Sequence, residues 1–545
     1  MSSALVLSLA ACGSSNSDDD GGTTIYDDDG VMTTVADGSG SEVGSEDSSS
    51  DSADDGPRLD SMVTTGDDTA ETTGGSGDPC MDAAEQQSNQ GCEFWAVDLP
   101  NAWVGTPSPD NHQYAVVVAN TVPDAEANVQ VFVGNSTTAV QTAVVASGAI
   151  HTFQLPAMNI PERQNSYDGT AYRIESDVPV TAYQFNPLDN NTQVYSNDAS
   201  LLFPTHSIGT EYTAISGDGI QLAESALGPS DNSGAFVSVV AQEDGTTVNF
   251  YPTATVYAGA IEAITINRGQ VATLISNATI SGQAGTAGLG NMSGTRVSAT
   301  KPVAVFSGNV ATIEPQPGAC CADHLEHQML PLAAWGTGYV TAPPPVPGAP
   351  VGSNRAAYRV TGAFDGTQLV YSPSTPAGAP TVIDAQQTVR FESDQPFTVT
   401  TADPDKPFAL TQFLLSNQSI KPTAPYQAGD PAMIALPAAA QYQDQYIFLV
   451  PDGYANNYVT ILASTTATVM LDGNDVSAGA WSTLGTLDGV QYRFIRLPVN
   501  TGSHAISADE NIGIVSIGYD QDVSYGYPGG SGLAIISTPP PPPAG

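Results

Sequence analysis

The sequence predicts an all-β protein, a tandem array of about four β-sandwich-like modules behind a disordered N-terminal tether, with a β-propeller-like arrangement as the alternative. Three observations predict it. Short segments of alternating apolar and polar residues, rich in Val, Thr, Tyr and Phe, recur from residue 92 to residue 537; Tyr114–Val118, Val129–Val133, Thr247–Tyr251 and Tyr458–Leu462 are examples. Gly, Pro, Asn and Asp separate them, which is the turn chemistry expected between strands of period two. Related text also returns at intervals of roughly 95 to 125 residues, the mark of a repeated structural unit.

Two repeated elements carry that last reading. Leu202-Phe203-Pro204 leads to Tyr212, Leu330-Pro331 to Tyr339, and Leu436-Pro437 to Tyr446. In the same phase run Tyr172–Val180, Arg296–Val303 and Val389–Phe397, with a degenerate fourth copy at His504–Ile512. Each of these reads as a strand, a tight turn with Pro at its exit, and a second strand. The modules then fall at residues 80–195, 196–326, 327–428 and 429–537, with a Pro-rich tail at 538–545. Each is the length of one sandwich of about seven strands, whereas a propeller blade usually runs about 40 to 50 residues. Short helical turns are expected near Met81–Gln87 and Cys321–Leu332.

The N-terminus carries different information. Residues 1–12 read as a lipoprotein signal, with the apolar run Ala4–Leu9, small residues Ala10 and Ala11, and Cys12 as the lipidation site. That run is short and no basic residue precedes it, so a start upstream of Met1 is expected. Residues 13–79 form an acidic Ser/Gly/Asp linker, with 18 acidic residues and the single base Arg58. Such a chain cannot bury enough apolar surface to offset its ordering entropy. As a coil it would span about 45 Å.

Composition narrows the function classes. The chain has 545 residues, 57 acidic against 13 basic, and a formal net charge of −44. A charge of that sign repels nucleic-acid phosphates, so no nucleic-acid partner is expected. No apolar run reaches the roughly 20 residues of a membrane helix, and two or three acyl chains on Cys12 would anchor it instead. Gly13 follows Cys12, so the expected location is the outer membrane, lipid-anchored, on the cell surface. Besides Cys12, four cysteines remain, and an even remainder in an exported chain points to disulfides. Cys80–Cys92 with Cys320–Cys321 is the preferred pairing among three.

Few constellations point to chemistry. The densest polar cluster is Cys320-Cys321-Ala322-Asp323-His324-Leu325-Glu326-His327. Its spacing fits neither HExxH nor HxxEH, so no metal is expected; Asp323 and Glu326 read as the cap of a short helix. There is no GxSxG elbow, no GxGxxG and no free catalytic cysteine. Asp472-Gly473-Asn474-Asp475 reads as a hairpin turn. Tyr525–Gly530 reads as a Tyr/Gly turn against the last strand.

A family resemblance rests on longer segments. Gly91–Leu99, Lys301–Gly308, Cys321–Gln328 with Leu330-Pro331 and Trp335-Gly336, and Ser524–Gly530 together resemble the IgGFc-binding protein N-terminal domain family, over residues 91–536. That domain heads a vertebrate mucus glycoprotein and occurs in bacterial surface lipoproteins, including those of myxobacterial type. The chain departs from the pattern in having His327 where a second Glu is expected, and in lacking a cysteine after Ser307-Gly308. The resemblance implies an extracellular recognition module with Asp323, His324 and Glu326 as family motif residues of unknown role. It implies no catalytic residue and no cofactor. The expected function is therefore a cell-surface lipoprotein whose β modules bind an extracellular protein or glycan in adhesion. A structural envelope component is the alternative, and a secreted polysaccharide or peptide hydrolase a more distant one.

Overall fold

The computed structural model describes residues 77–102, 109–188, 196–222, 231–257, 263–277, 290–315, 322–348, 354–420 and 429–543. Cys12, the linker as far as residue 76, and Cys320 and Cys321 lie outside them. The described chain is all-β, with sheets whose every strand pairing is antiparallel.

Each unit is organised about one long strand that serves two sets of partners. In the first unit, β1 (Tyr172–Asn186) pairs through its first half with Gly91–Ala96 and Ala127–Val133. Its second half pairs with Tyr114–Asn120 and with β2 (Asp198–Leu201). In the second, β3 (Arg296–Thr312) does the same with Thr246–Tyr251 and Gly209–Thr213, then with Ala235–Ala241 and β4 (Asp323–Gln328). In the third unit the long strand is broken. Phe397–Thr401 pairs with Gly338–Thr341 and Thr367–Ser372, and β5 (Phe408–Phe413) pairs with Ala356–Gly362 and β6 (Met433–Ala435). In the fourth, β7 (Gly502–Asp520) pairs with Gln443–Val450 and Val469–Leu471, then with Asn456–Ser464 and β8 (Val523–Pro528).

The expected strand–turn–strand hairpins at Tyr172–Val180, Arg296–Val303 and His504–Ile512 are therefore continuous strands that change partners midway. Pro179 and Pro302 sit at the crossing point, where the register with the neighbouring strand shifts. A proline there removes no ladder hydrogen bond. In the third unit the strand ends at Thr401, and Pro404 and Pro407 occupy the turn before the next strand begins at Phe408. The equivalent of Lys301-Pro302-Val303 is thus Lys406-Pro407-Phe408, and Val389–Phe397 lies one strand too early.

The repeated tyrosines fix this equivalence. Tyr212 Oη donates to the Val303 carbonyl and accepts from Gly209 N–H, both at 2.7 Å. Tyr339 Oη donates to the Phe408 carbonyl at 2.6 Å, and Tyr446 Oη to the Ile512 carbonyl at 2.5 Å while accepting Gln443 N–H. Each proline ahead of them opens a short 3-10 turn or stands just before one, at Thr205–Ser207, Leu332–Ala334 and Ala439–Gln441.

The four units close into a ring. The inner strands touch in a cycle, β2 on β4, β4 on β6, β6 on β8 and β8 back on β2. The apolar core follows the same cycle. One cluster joins Phe94 and Tyr172 to Phe236 and Phe306, a second joins Tyr212 and Leu325 to Phe413 and Met433. A third joins Tyr358 and Phe397 to Ile517 and Tyr519, and the fourth joins Tyr525 and Tyr527 to Tyr183 and Phe185. Residues 531–533 seal the last junction: Asn89 N–H donates to the Ser531 carbonyl, Ser531 N–H to Asn89 Oδ1, and Leu533 N–H to the Gln87 carbonyl. The tail then crosses the ring, with Ser537 Oγ on the Leu332 carbonyl and Arg296 Nη2 on the Pro540 carbonyl.

The helix at the ring's entrance is Pro79–Gln86, capped by Asp78, whose Oδ1 accepts Cys80 N–H. Cys80 and Cys92 are joined by a disulfide, which ties this helix to the first strand. The expected helix at Cys321–Leu332 is not formed: residues 323–328 are β4, wholly buried. The run Leu325-Glu326-His327-Gln328 finds strand partners on β3, and hydrogen bonding to a sheet satisfies a buried backbone that a one-turn helix would leave open.

Candidate functional site

The inner strands bring acids to the ring axis. An aspartate stands at or just ahead of the start of each: Asp198 opens β2, Asp323 opens β4, Asp430 lies three residues before β6, and Asp522 one residue before β8. Glu326 on β4 and Asp98 after the first strand complete the group. All six are buried, Asp323, Glu326 and Asp430 with no exposed surface.

Their hydrogen bonds knit the units together. Asp198 Oδ2 accepts Glu326 N–H at 3.1 Å and Met433 N–H at 3.4 Å. These two donors are equivalent, pairing with Gly308 and Phe413 of their long strands. One carboxylate oxygen of the first unit thus holds the second and third. Asp323 Oδ1 accepts Asn197 N–H and His324 N–H at 2.7 Å each, and Asn197 Nδ2 reaches Tyr454 Oη of the fourth unit at 3.0 Å. Gln184 on β1 donates through Nε2 to Glu326 Oε2, while its Oε1 accepts Val97 N–H and Tyr114 Oη. Asn417 Nδ2 donates to Asp522 Oδ1.

No salt bridge among the described residues reaches any of these acids. Burial therefore outweighs the hydrogen bonds that these carboxyls accept. It pushes the carboxyls of Asp198, Asp323, Glu326 and Asp430 well above the ordinary carboxylate range, with neighbouring carboxyls adding to the shift for Asp323, Glu326 and Asp430. Asp98 is pushed up to about 6 by burial, against the pull of the Met158 and Asn159 N–H groups. Burial acts oppositely on the bases, taking His324 down to about 3 and His327 down to about 4. Burial thus favours the neutral form of the acids and of the imidazoles alike, the form that a dry interior tolerates.

Of the motif residues singled out in the sequence, Asp323, His324 and Glu326 all lie in this hub. Asp323 starts a strand and caps no helix. His324 and His327, three apart on a strand, point to opposite faces: His324 stacks on Phe236 and His327 lies against Phe203. Among the described residues no three acids, histidines or cysteines converge as a metal-ligand set. Tyr525 and Tyr527 belong to β8 and are buried at the axis, stacked on each other. Asp472-Gly473 is the expected hairpin turn, with left-handed φ of 49° and 73° between paired strands, the geometry of a two-residue type I′ connection. Asp198, Asp430 and Asp522 were not distinguished in the sequence. The signal available for the first three units was an aspartate six to eight residues ahead of the repeated proline, Pro204, Pro331 and Pro437.

The outer surface offers an open polar cleft of about 460 Å³ between the first two units, lined by Gly134, Asn135, Thr170, Asp244, Asn267 and Arg268. Arg268 is paired with Glu93 at 2.6 Å and lies over the Trp95 ring. Among the described residues no helix is long and apolar enough to cross a membrane.

Fold and hub together define an all-β protein of four related units sealed on a shared acidic axis. The chain belongs to the IgGFc binding protein family: the family's sequence profile matches residues 198–518, more than half of the chain. It is 25% identical over 378 residues to the human IgGFc-binding protein (Homo sapiens), a match covering 67% of this chain and 6% of that protein. A solved structure, an anti-sigma factor domain-containing protein from Clostridium clariflavum, aligns at 7% identity over 76% of this chain and 99% of its own, with a TM-score of 0.10 that carries no argument.

Proposed function

We propose that this chain is a non-catalytic protein-binding module, displayed outside the cytoplasm on a lipid anchor at Cys12 and held away from the membrane by residues 13–79. The observation that carries the reading is the sealing of the hub. Asp323, His324, Glu326 and His327 have no exposed surface, so the family's motif acids cannot meet a substrate and act by holding the ring. Recognition then falls to the outer rims and clefts, of which the one between the first two units is an example. Membership in the IgGFc binding protein family supports a protein as the partner, since the human relative is named for binding antibody Fc.

The test is binding of the purified full chain to immobilised extracellular proteins, IgG Fc included, with a glycan array beside them. Saturable binding to a protein, retained after Asp323→Asn in a folded variant, is the expected result. Binding confined to glycans, or hydrolysis of a polysaccharide or peptide that Asp323→Asn abolishes, overturns it. Anchoring is tested separately: Cys12→Ser is expected to move the protein from the membrane fraction to the soluble one.

A further inference from the structure

We propose that the ring axis is a proton lock: the carboxyls of Asp323 and Asp430 hold one proton between them, and its loss loosens the seam between the second and third units.

The geometry leads there by accounting for donors. Asp323 Oδ1 takes two N–H groups, but its Oδ2 has none. Neither oxygen of Asp430 has an N–H or amide donor, although its backbone is fixed, with N–H on Ser524 Oγ and carbonyl receiving Ser524 Oγ–H. Asp323 opens β4 and Asp430 lies just ahead of β6, inner strands of adjoining units that touch, and each carboxyl acts on the other. Two carboxylates so placed would leave three buried oxygens unsatisfied and two like charges in contact. A carboxylic acid donating to a carboxylate removes one charge and supplies the missing donor. Both residues occupy the same repeat position, three residues ahead of Glu326 and Met433, whose N–H groups meet on Asp198 Oδ2.

The groups facing the pair leave no other source of positive charge. Asp198 faces it from the first unit, and Glu326 with the neutral His324 and His327 stand on β4. From the fourth come Asp522 and Tyr454, whose hydroxyl burial holds in its protonated form. No Lys or Arg pairs with any of these acids among the described residues, and no three of them converge on a metal position. A proton fits where a metal ion does not. Deprotonation transfers that proton to water or hydroxide and leaves two facing carboxylates, which the inner strands can relieve only by parting.

An acid whose proton is kept by the folded state alone destabilises that state as pH rises from the unfolded value of about 3.9 towards the folded one. The unfolding constant then rises about tenfold per pH unit for each proton so held. The experiment is urea unfolding of the full chain from about pH 5 to pH 9, for the wild type, Asp430→Asn and Asp323→Asn, each with and without a chelator. Asp430→Asn presents an amide N–H to Asp323 in place of the shared proton, so the pH dependence is expected to become shallower by about tenfold per pH unit. A folded variant with the wild-type slope overturns the proposal, as does a wild-type slope that the chelator changes. Should neither variant fold, infrared spectroscopy of the wild type decides: a protonated-carboxyl carbonyl band persisting at mildly alkaline pH is expected, and its absence overturns the proposal.

Discussion

Tyr212 Oη donates to the carbonyl of Val303, 91 positions away in sequence, at 2.7 Å. The same hydroxyl accepts Gly209 N–H, so one buried phenol satisfies two backbone groups where the second unit's first strand meets its long strand. Tyr212→Phe keeps the ring and removes the oxygen. A buried N–H and a buried carbonyl then lose their partner, at a cost of about 1 to 3 kcal/mol. The urea midpoint should fall with an unchanged slope. Tyr446→Phe should behave likewise in the fourth unit, since its hydroxyl makes the same two contacts.

These tyrosines show how much of the fold was legible. The Pro-to-Tyr spacing marks three of the four units because a chemical requirement stays local: a proline ahead of a 3-10 turn, and a phenol a fixed distance on. The long strands were legible as strands but not as single ones. A proline at a change of partner and a proline at a hairpin exit look alike in sequence. The third copy was placed one strand early because its true equivalent, Phe397–Phe408, is interrupted by Pro404 and Pro407. The hub was legible only at Asp323, His324 and Glu326. Asp198, Asp430 and Asp522 sit in unrelated local text, within a chain of 57 acids, and only ring closure brings them together.

Glu314 joins the second and third units by charge. Its Oε2 lies 2.9 Å from Arg359 Nη2 and its Oε1 2.6 Å from Arg390, while Arg359 lies 3.9 Å over the Phe413 ring. Glu314 and Arg359 are almost fully buried. Glu314→Ala would leave the Arg359 guanidinium without a counter-charge in a dry site, a loss of about 3 to 5 kcal/mol. Denaturant unfolding measures it. A double variant replacing Glu314 and Arg359 with apolar residues of similar size should recover much of that loss.

The disulfide Cys80–Cys92 holds the helix Pro79–Gln86 against the first strand. Closing a loop of this length is worth about 2 to 4 kcal/mol to the segment it constrains. Cys92→Ser should leave the ring folded and the helix open to protease. Limited proteolysis followed by mass spectrometry should show cleavage near residues 79–90 in the variant, with the wild type protected there until reduced.

His504 is placed to carry charge. Its Nδ1 donates to Asp472 Oδ2 and its Nε2 to the Asn500 carbonyl, both at 2.7 Å. Burial opposes the imidazolium, but these acceptors outweigh it and raise His504 above the ordinary histidine value. A raised folded value means the stabilisation is complete below about pH 6.5 and is lost as pH rises through the folded value. An NMR titration should give a His504 midpoint above that of an exposed histidine, and Asp472→Asn should bring it below.

The central claim is that four units form one ring sealed at its axis, and native-state hydrogen exchange on the full chain tests it most directly. Peptides covering 198–201, 323–328, 433–435 and 523–528 should be the slowest to exchange and should share one opening free energy, because each inner strand opens only when the ring does. Opening free energies that differ from unit to unit, or fast exchange at any one of the four inner strands, would contradict it.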